Sequence, residues 1–259
     1  SNTANSIQVM KTCQAISQLG HEVHLYVPAT GHPENLVHLW THYGLSNQFR
    51  IEWLPSHSGL HRYDFTFQAV RRARHIKAGL TYVWPVQAGI FSLVAGIPVI
   101  LELHGPPEGT FGPTLFRFFM KLRGRKRVLP ITRALADQLG RRYSLDTKNA
   151  ALVQVSPNGV DLERYANLPE PSSARAQLGL ASTLTVGYTG HLYPGRGMGM
   201  LVELSQRFPQ LSFLWVGGNE QDVNAWRDQL SKKGITNVTL TGFVENSQLP
   251  LYQAAADIL

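Results

Sequence analysis

The chain has 259 residues, of which 43% are hydrophobic, so it can bury a sizeable core and form one or two domains. Its formal net charge is +7 and it holds one cysteine, which excludes an internal disulfide and favours a reducing, cytoplasmic location. No segment has the pattern of a signal peptide, and no apolar run approaches the ~18–20 residues that span a bilayer.

The charge is unevenly distributed along the chain. Residues 1–160 hold 17 Lys and Arg against 8 Asp and Glu, whereas residues 161–259 hold 7 against 9. This asymmetry indicates two domains with different partners. The basic segments 71–77, 121–127 and 141–142 form either a solvated face or a contact with an anionic membrane surface or a phosphate-bearing acceptor. Nucleic acid is disfavoured, because these segments lack interleaved aromatic residues.

Apolar spacing predicts alternating helices and strands through the first part of the chain. Ile7 and Met10 begin a helical pattern that includes Cys13 as a small buried side chain, and Gly20 stands where a left-handed C-cap belongs. The predicted strands are 22–28, 49–55, 80–84, 98–104, 127–132 and 151–156; the predicted helices between them are 33–43, 64–78, 86–94, 112–122 and 132–143. Their near-continuous apolar cores predict a parallel sheet covered on both faces.

Residues 157–165 interrupt this rhythm. Pro157 stops the preceding strand, and Asn158 and Gly159 tolerate positive φ, so a turn or hinge is expected there. Residues 168–173 have the composition of a linker. A second series follows, with strands predicted at 183–190, 211–218 and 237–244, helices at 198–207, 222–233 and 247–256, and the start of another strand at 256–259. The pattern therefore predicts two α/β domains.

Glycine-marked loops follow three strands of the second series. In open α/β sheets, ligands bind beyond the carboxyl ends of the strands, where helix N-termini point their N–H groups outward. The loop YTGHLYPGRGMGM places Gly190, Gly195 and Gly197 around Arg196, whose guanidinium can bind phosphate oxygens in a fork. Taken alone, this loop is more simply explained as an ordinary Gly-rich turn with a surface arginine. The loops WVGGNE and TGFVENSQL repeat the design, which favours one shared binding site.

In the first series, His104 and Gly105 stand at the end of a predicted strand, before a loop rich in Gly and Pro. His104 is therefore either a hydrogen-bonded structural residue or a residue of a binding site. Asn5 and Ser6, at the start of the first helix, are either an N-cap or hydrogen-bond donors to an acceptor or a phosphate. Glu22 and Glu102 form no acid–base pair by spacing, no cluster has the spacing of zinc ligands, and the histidines at 21, 24, 38 and 42 look incidental.

Eight segments, in order along almost the whole chain, resemble the family-four glycosyltransferases. They are NSIQVMKTCQAISQLGHEVHLYVP, GIPVILELHG, PITRALADQL, VSPNGVDLERY, VGYTGHLYPGRGMGMLVEL, FLWVGG, NVTLTGFV and LPLYQAAADIL. The resemblance implies the GT-B fold, with two Rossmann-like domains: residues 1–160 on the acceptor side and residues 161–259 binding the donor nucleotide. The opening strand of the first domain and the last part of the second, which includes a pair of glutamates spaced eight apart, look absent.

The resemblance also implies a reaction. A sugar would be transferred from a nucleotide-diphosphate donor with retention at the anomeric carbon and without a cofactor or bound metal. In the usual G-R-x-x-x-x-K-G loop of the family both basic residues face the diphosphate, and here those places hold His191 and Arg196, so the charge is kept only in part. Arg196 and the helix N-terminus would then neutralise the departing diphosphate.

Further residues receive roles by the same resemblance. His104 matches a strand-end histidine that contacts the donor sugar near the reacting centre, and is the candidate catalytic residue. The pairs Phe243–Val244 and Gly217–Gly218 match segments at the nucleotide base, and Gly190, His191, Arg196 and Gly197 complete the donor site. Asn5 and Ser6 belong to the acceptor side. Asn158 and Gly159 match the interdomain hinge, whose closure would bring His104 and Arg196 towards one donor.

Two alternatives stay open. A sugar-nucleotide epimerase has the same two domains but needs no acceptor and releases a rearranged sugar. A non-catalytic sugar-nucleotide-binding or assembly module would follow if the missing glutamate segment is absent from the gene product. A glycan, lipid-linked or small-molecule acceptor, cell-envelope polysaccharide synthesis and peripheral contact of the basic first domain with the inner membrane face are expectations of the leading interpretation.

Overall fold

Helices and strands alternate along the chain in a computed structural model that describes residues 4–29, 36–60 and 62–259, with the backbone alone described at 4, 5, 36–38 and 58. The helices are α1 (Ala4–Gln18), α2 (Leu36–Tyr43), α3 (Tyr63–His75), α4 (Val86–Val94), α5 (Gly112–Lys121), α6 (Arg133–Tyr143), α7 (Pro171–Gln177), α8 (Met198–Arg207), α9 (Glu220–Lys232) and α10 (Leu249–Ala254). The strands are β1 (His24–Pro28), β2 (Arg50–Leu54), β3 (Thr81–Val83), β4 (Val99–Leu103), β5 (Lys126–Pro130), β6 (Thr185–Thr189), β7 (Ser212–Val216) and β8 (Val238–Gly242).

The strands form three parallel sheets. β1 pairs with β2, the order β3-β4-β5 forms a second sheet, and β6-β7-β8 forms the third. The α/β class and the parallel pairing predicted from the sequence are confirmed. The first half holds two sheets where one was predicted, because among the described residues no strand pairs with the second edge of β1 or of β3.

Two predicted strands are reduced to single bridges. Val153 bridges Val128 of β5, and the segment that follows donates backbone hydrogen bonds to that strand, from the Gln154 amide to the Val128 carbonyl and from the Ser156 amide to the Pro130 carbonyl. Ile258 bridges Val186 of β6 in parallel, as expected for the start of another strand. Both segments therefore follow the predicted direction without completing a regular ladder.

Three local predictions differ from the structure. The predicted linker at 168–173 contains the start of α7, because Pro171 occupies the first helical position, where its missing N–H costs nothing. Helix α3 ends at His75, three residues before its predicted end, and Lys77 with φ 56° makes the left-handed turn that follows it. Gly159 has no positive φ, and residues 154–161 form an irregular connection where a turn was expected. Gly20, with φ 86°, does follow α1 as predicted.

The chain divides into two compact units. The N-unit comprises Thr12–Glu34 and Asn47–Gly159, and the C-unit comprises Ser1–Lys11, Asn35–Ser46 and Val160–Leu259. The main division lies within one residue of the predicted boundary, but two short segments from the first part of the sequence belong to the C-unit. The assignment of an acceptor-side and a donor-side domain stays a prediction.

Each unit has its own core. In the N-unit, Leu101, Leu103 and Val128 pack from the sheet against Phe116 and Phe119 of α5. The C-unit packs the aromatic rings of β7 against apolar side chains of α8 and α9; the buried members are Leu192, Met198, Val202, Phe213, Trp215, Val223 and Leu230. Each sheet is thus fixed by helices, which leaves its strand ends free to carry functional loops.

Candidate functional site

The carboxyl ends of β6, β7 and β8 lie side by side in the C-unit. The Gly190 amide donates to the Val216 carbonyl at 2.9 Å, and the Gly217 amide donates to the Gly242 carbonyl at 2.9 Å. These bonds continue the ladder past the ends of the regular strands and join the three glycine-bearing loops. The sequence-based expectation that these loops gather at one place is met.

Steric contacts explain why glycine occupies the two positions that follow β7. A β-carbon on Gly217 would lie 2.3 Å from the Gly190 carbonyl oxygen, and one on Gly218 would lie 2.8 Å from the Leu192 side chain. Both glycines also have positive φ, 114° and 84°. Any side chain at these two positions would therefore push the first and second loops apart.

The first of these loops, residues 190–197, is held at its base. The side chain of Leu192 is fully buried, and its carbonyl accepts a 2.7 Å hydrogen bond from the indole Nε1 of Trp226 in α9. The hydroxyl of Tyr188 donates to the His191 carbonyl at 2.8 Å. The loop is therefore anchored through its backbone, while the His191 side chain stays exposed.

Arg196 lies at the exposed end of this loop. Its Nε and Nη2 donate to the Tyr193 hydroxyl at 2.9 and 2.5 Å, and its guanidinium carbon lies 5.0 Å from the centre of that ring. Gly195 and Gly197 flank it with φ of 94° and 78°, and α8 begins directly afterwards. The loop thus brings one cation to a helix N-terminus, an arrangement suited to an anion.

Phe243 and Val244 follow β8 and differ in their surroundings. Phe243 is 53% exposed, and its ring stacks on that of His42 with centroids 5.8 Å apart. Val244 packs against the buried Leu214, Val216 and Ala255. Phe243 therefore has the more accessible surface for a ligand, and the expectation that His42 is incidental misses its contact with that ring.

A second group of polar side chains occupies one face of the N-unit sheet. Residues two apart in a strand share a face, so Glu102 and His104 stand on the same side, opposite the core residues Leu101 and Leu103. Glu102 Oε1 lies 2.5 Å from His104 Nε2. The sequence spacing predicted no acid–base partner for Glu102. The contact between Glu102 and His104 was therefore missed.

Tyr82 of the adjacent strand β3 and Trp84, which comes directly after that strand, complete this group. The Tyr82 hydroxyl donates to Glu102 Oε2, and the Trp84 ring packs against the His104 ring with centroids 4.4 Å apart. Burial, followed by the hydrogen bond to Glu102 and the charge of that carboxylate, raises the pKa of Tyr82, so its hydroxyl stays a proton donor. Glu102 itself is 5% exposed, so this is a buried polar network with its histidine at the accessible end.

The family assignment follows from the sequence model for Glycosyltransferase Family 4, which matches residues 6–164, more than half of the chain. The chain belongs to glycosyltransferase family 4. No match was found among curated protein sequences.

Solved structures agree with this family-4 assignment at the level of the fold. Anabaena HepE in complex with UDP superposes with a TM-score of 0.69 at 23% identity, over 99% of this chain and 70% of HepE. The lipopolysaccharide outer core galactosyltransferase WaaB superposes at 0.57 with 9% identity, over 91% and 72%. UDP-GlcNAc 2-epimerase from Neisseria meningitidis superposes at 0.62 with 14% identity, over 97% and 73%. These proteins share the GT-B fold, and the fold prediction is confirmed.

The acceptor-side and hinge residues implied by the family-4 resemblance lie in different parts of the chain. Ser6 lies in the first turn of α1, half buried, while the side chain of Asn5 is outside the described residues. Asn158 and Gly159 are exposed and lie where the two units divide. The roles of all these residues stay predictions.

A cluster of metal ligands and a membrane-spanning helix are both absent from the part of the family-4 chain that the structure describes. Within residues 4–29, 36–60 and 62–259, no three His, Cys, Asp or Glu side chains converge to hold a metal ion, and no helix has the length and apolarity to cross a bilayer. The expectation of metal-independent chemistry stays a prediction. Burial raises the pKa of Cys13 to about 12, which favours the unreactive thiol form expected for it.

Proposed function

We propose that the chain forms the donor-binding part and most of the acceptor-side part of a glycosyltransferase that transfers a sugar from a nucleotide diphosphate with retention. The observation that carries this proposal is the junction of the loops after β6, β7 and β8, which presents glycine backbone, a helix N-terminus and Arg196 at one edge of the sheet. Family membership and the fold of HepE, which binds UDP and UDP-glucose, support it.

The diphosphate would lie at the loop of residues 190–197. Negative charge grows on the leaving oxygens as the glycosidic bond breaks, and fixed positive charge at that place lowers the barrier. The Arg196 guanidinium uses Nε and Nη2 on Tyr193, so we propose that Nη1, or the whole fork after it turns, binds the phosphate oxygens. His191 and the amides around Gly197 would contribute further donors without a metal.

The donor sugar would contact His104, and the base would lie beside Phe243 and the Gly217–Gly218 backbone. A histidine at the end of β4 can accept or donate one hydrogen bond to a sugar hydroxyl. Phe243 offers an exposed ring of the kind on which a base stacks. Val244 would support Phe243 from the core side. Asn158 and Gly159 would permit the domain movement that such a reaction needs.

The acceptor and the cellular setting are proposed more broadly. Asn5 and Ser6 would face a glycan, lipid-linked or small-molecule acceptor, in a cytoplasmic enzyme of polysaccharide synthesis. Exposed cations of α3 and of the turn after α5, including Arg71, Arg74 and Arg123, would attract anionic lipid headgroups at the inner membrane face. Flotation with vesicles containing 30% anionic lipid, compared with neutral vesicles, tests this last part.

An epimerase is the second candidate, because UDP-GlcNAc 2-epimerase shares the fold. Calorimetry with UDP and a panel of UDP-sugars tests the donor site, and product analysis with and without acceptors separates the two reactions. Transfer to an acceptor with the α-configuration of the donor preserved supports the proposal. A rearranged sugar released without acceptor supports the epimerase, and binding without turnover by the full gene product supports a non-catalytic module.

A further inference from the structure

The buried end of the polar network in the N-unit has no role in the proposed reaction so far. Glu102 is 5% exposed and interacts through both carboxylate oxygens, with His104 Nε2 on one side and the Tyr82 hydroxyl on the other. A carboxylate that is ionised can only accept hydrogen bonds. With Glu102 in its ionised form, both neighbours supply the proton, which places a hydrogen on Nε2 of His104.

We infer that Glu102 is a positioning residue that fixes the tautomer of His104 and turns its other nitrogen towards the ligand. With the proton on Nε2, the neutral ring has an unprotonated Nδ1, which is a hydrogen-bond acceptor. No hydrogen bond to Nδ1 is found among the described residues, and the His104 side chain is 26% exposed. The group that matches this nitrogen is a hydroxyl that donates its proton, as sugar hydroxyls do.

Tyr82 and Trp84 make this arrangement rigid. The raised pKa of Tyr82 keeps its hydroxyl protonated, so one oxygen of Glu102 is always occupied and the other faces His104. Trp84 packs against the imidazole at 4.4 Å between ring centres and restricts its rotation. Tyr82 and Glu102 lie in the paired strands β3 and β4, and Trp84 and His104 directly follow those strands, so the β3–β4 pairing brings the four side chains together.

This inference rests on the proposed function in one respect, namely that the ligand carries a sugar. A tautomer that accepts at Nδ1 would improve binding of a nucleotide sugar over the bare nucleotide and leave nucleotide binding unchanged. The preference for UDP-glucose over UDP therefore measures the role of Glu102 separately from that of the diphosphate site. UDP-glucose is the probe because the structurally similar HepE binds it.

The experiment compares the wild type with Glu102→Gln, Tyr82→Phe and the control Glu52→Gln, which removes a carboxylate of β2 that pairs with Arg72. Nitrogen-15 NMR of the histidine side chains reports which ring nitrogen of His104 carries the proton. We expect the Nε2–H form in the wild type, in the control and in Tyr82→Phe. In Glu102→Gln the amide NH₂ can face Nε2, so the Nδ1–H form should appear.

Calorimetry supplies the second measurement. Glu102→Gln should reduce the affinity ratio of UDP-glucose to UDP by about fivefold, the equivalent of one neutral hydrogen bond, with UDP affinity and the circular dichroism spectrum unchanged. An unaltered His104 tautomer in this variant would overturn the inference, as would an Nδ1–H form in the wild type. If the wild type binds neither of these probes nor any other nucleotide sugar, the proposed function fails, and the NMR measurement still decides the inference.

Discussion

Gly217 lies directly against the backbone of Gly190, and a β-carbon added to Gly217 would stand 2.3 Å from the Gly190 carbonyl oxygen. Two neighbouring strand ends are therefore in backbone contact, with no room for a side chain between them. This contact sets the spacing of the loops proposed to hold the diphosphate, and it has a measurable cost when it is disturbed.

Gly217→Ala should destabilise the C-unit and weaken UDP binding, because the loops after β6 and β7 must separate. The matched control is Gly234→Ala, at φ 65° with no atom within 4 Å of the added carbon. The control should cost about 1 kcal/mol, the conformational penalty alone, whereas Gly217→Ala should cost about 1–3 kcal/mol more through overpacking. Urea unfolding measures both, and equal losses would refute the steric explanation.

Arg196→Ala should weaken the binding of nucleoside diphosphate by roughly tenfold or more, since a hydrogen bond to a charged group contributes about 1.5–3 kcal/mol. Arg207→Ala is the control, because Arg207 is an exposed arginine in the last turn of α8, at the opposite end of that helix from the loop that carries Arg196. Calorimetry with UDP gives both dissociation constants. An unchanged constant in Arg196→Ala would remove the diphosphate from this loop.

Arg175→Ala should destabilise the C-unit by about 3 kcal/mol, because it breaks a largely buried ion pair. Arg175 is 6% exposed, and its Nη1 donates to the Ala255 carbonyl at 2.9 Å and to Asp257 at 2.7 Å. Asp257 in turn accepts the Thr185 amide of β6 at 2.8 Å. Chemical denaturation measures the loss, and a change below about 0.5 kcal/mol, typical of a surface pair, would contradict this prediction.

Acid should weaken the fold through Asp64. Hydrogen bonds from the His57 side chain and backbone hold the pKa of Asp64 below its ordinary value of 3.8, despite some opposing burial. A carboxyl whose pKa is lower in the folded state stabilises the fold above the ordinary value, and this contribution is lost as the pH falls through the lowered one. Asp64→Asn should therefore flatten the decline in stability below about pH 4. Identical pH profiles for both proteins would show that the pair does not contribute.

Local patterns predicted most of the elements but few of the contacts that define the site. The bounds of α8 were predicted correctly, because Gly197 and the apolar spacing after it mark a helix start that needs no tertiary information. The glycines at the strand ends pointed to the same edge of a sheet, since parallel strands end together. Helix α7 was missed, because its Pro and Ser are as typical of linkers as of first helical turns.

The contacts around Glu102 and Phe243 could not be predicted in the same way. Glu102 and His104 share a strand face, but Tyr82 meets them only through the pairing of β3 with β4. His42 reaches Phe243 across most of the sequence, and the segment that contains it belongs to the C-unit. The hydrogen bonds from Arg196 to Tyr193 span only three residues, yet they depend on the left-handed glycines between Leu192 and α8.

Side chains alternate between two faces along the end of β4, and the two faces have different tasks. Leu101 and Leu103 fill the core, whereas Glu102 and His104 belong to the polar network on the opposite face. Substitutions of Glu102 or His104 can alter ligand preference, while Leu101 and Leu103 continue to stabilise the fold. The four consecutive residues 101–104 thus separate folding from chemistry: substitutions of Leu101 or Leu103 should lower the stability of the N-unit, whereas substitutions of Glu102 or His104 should alter ligand binding.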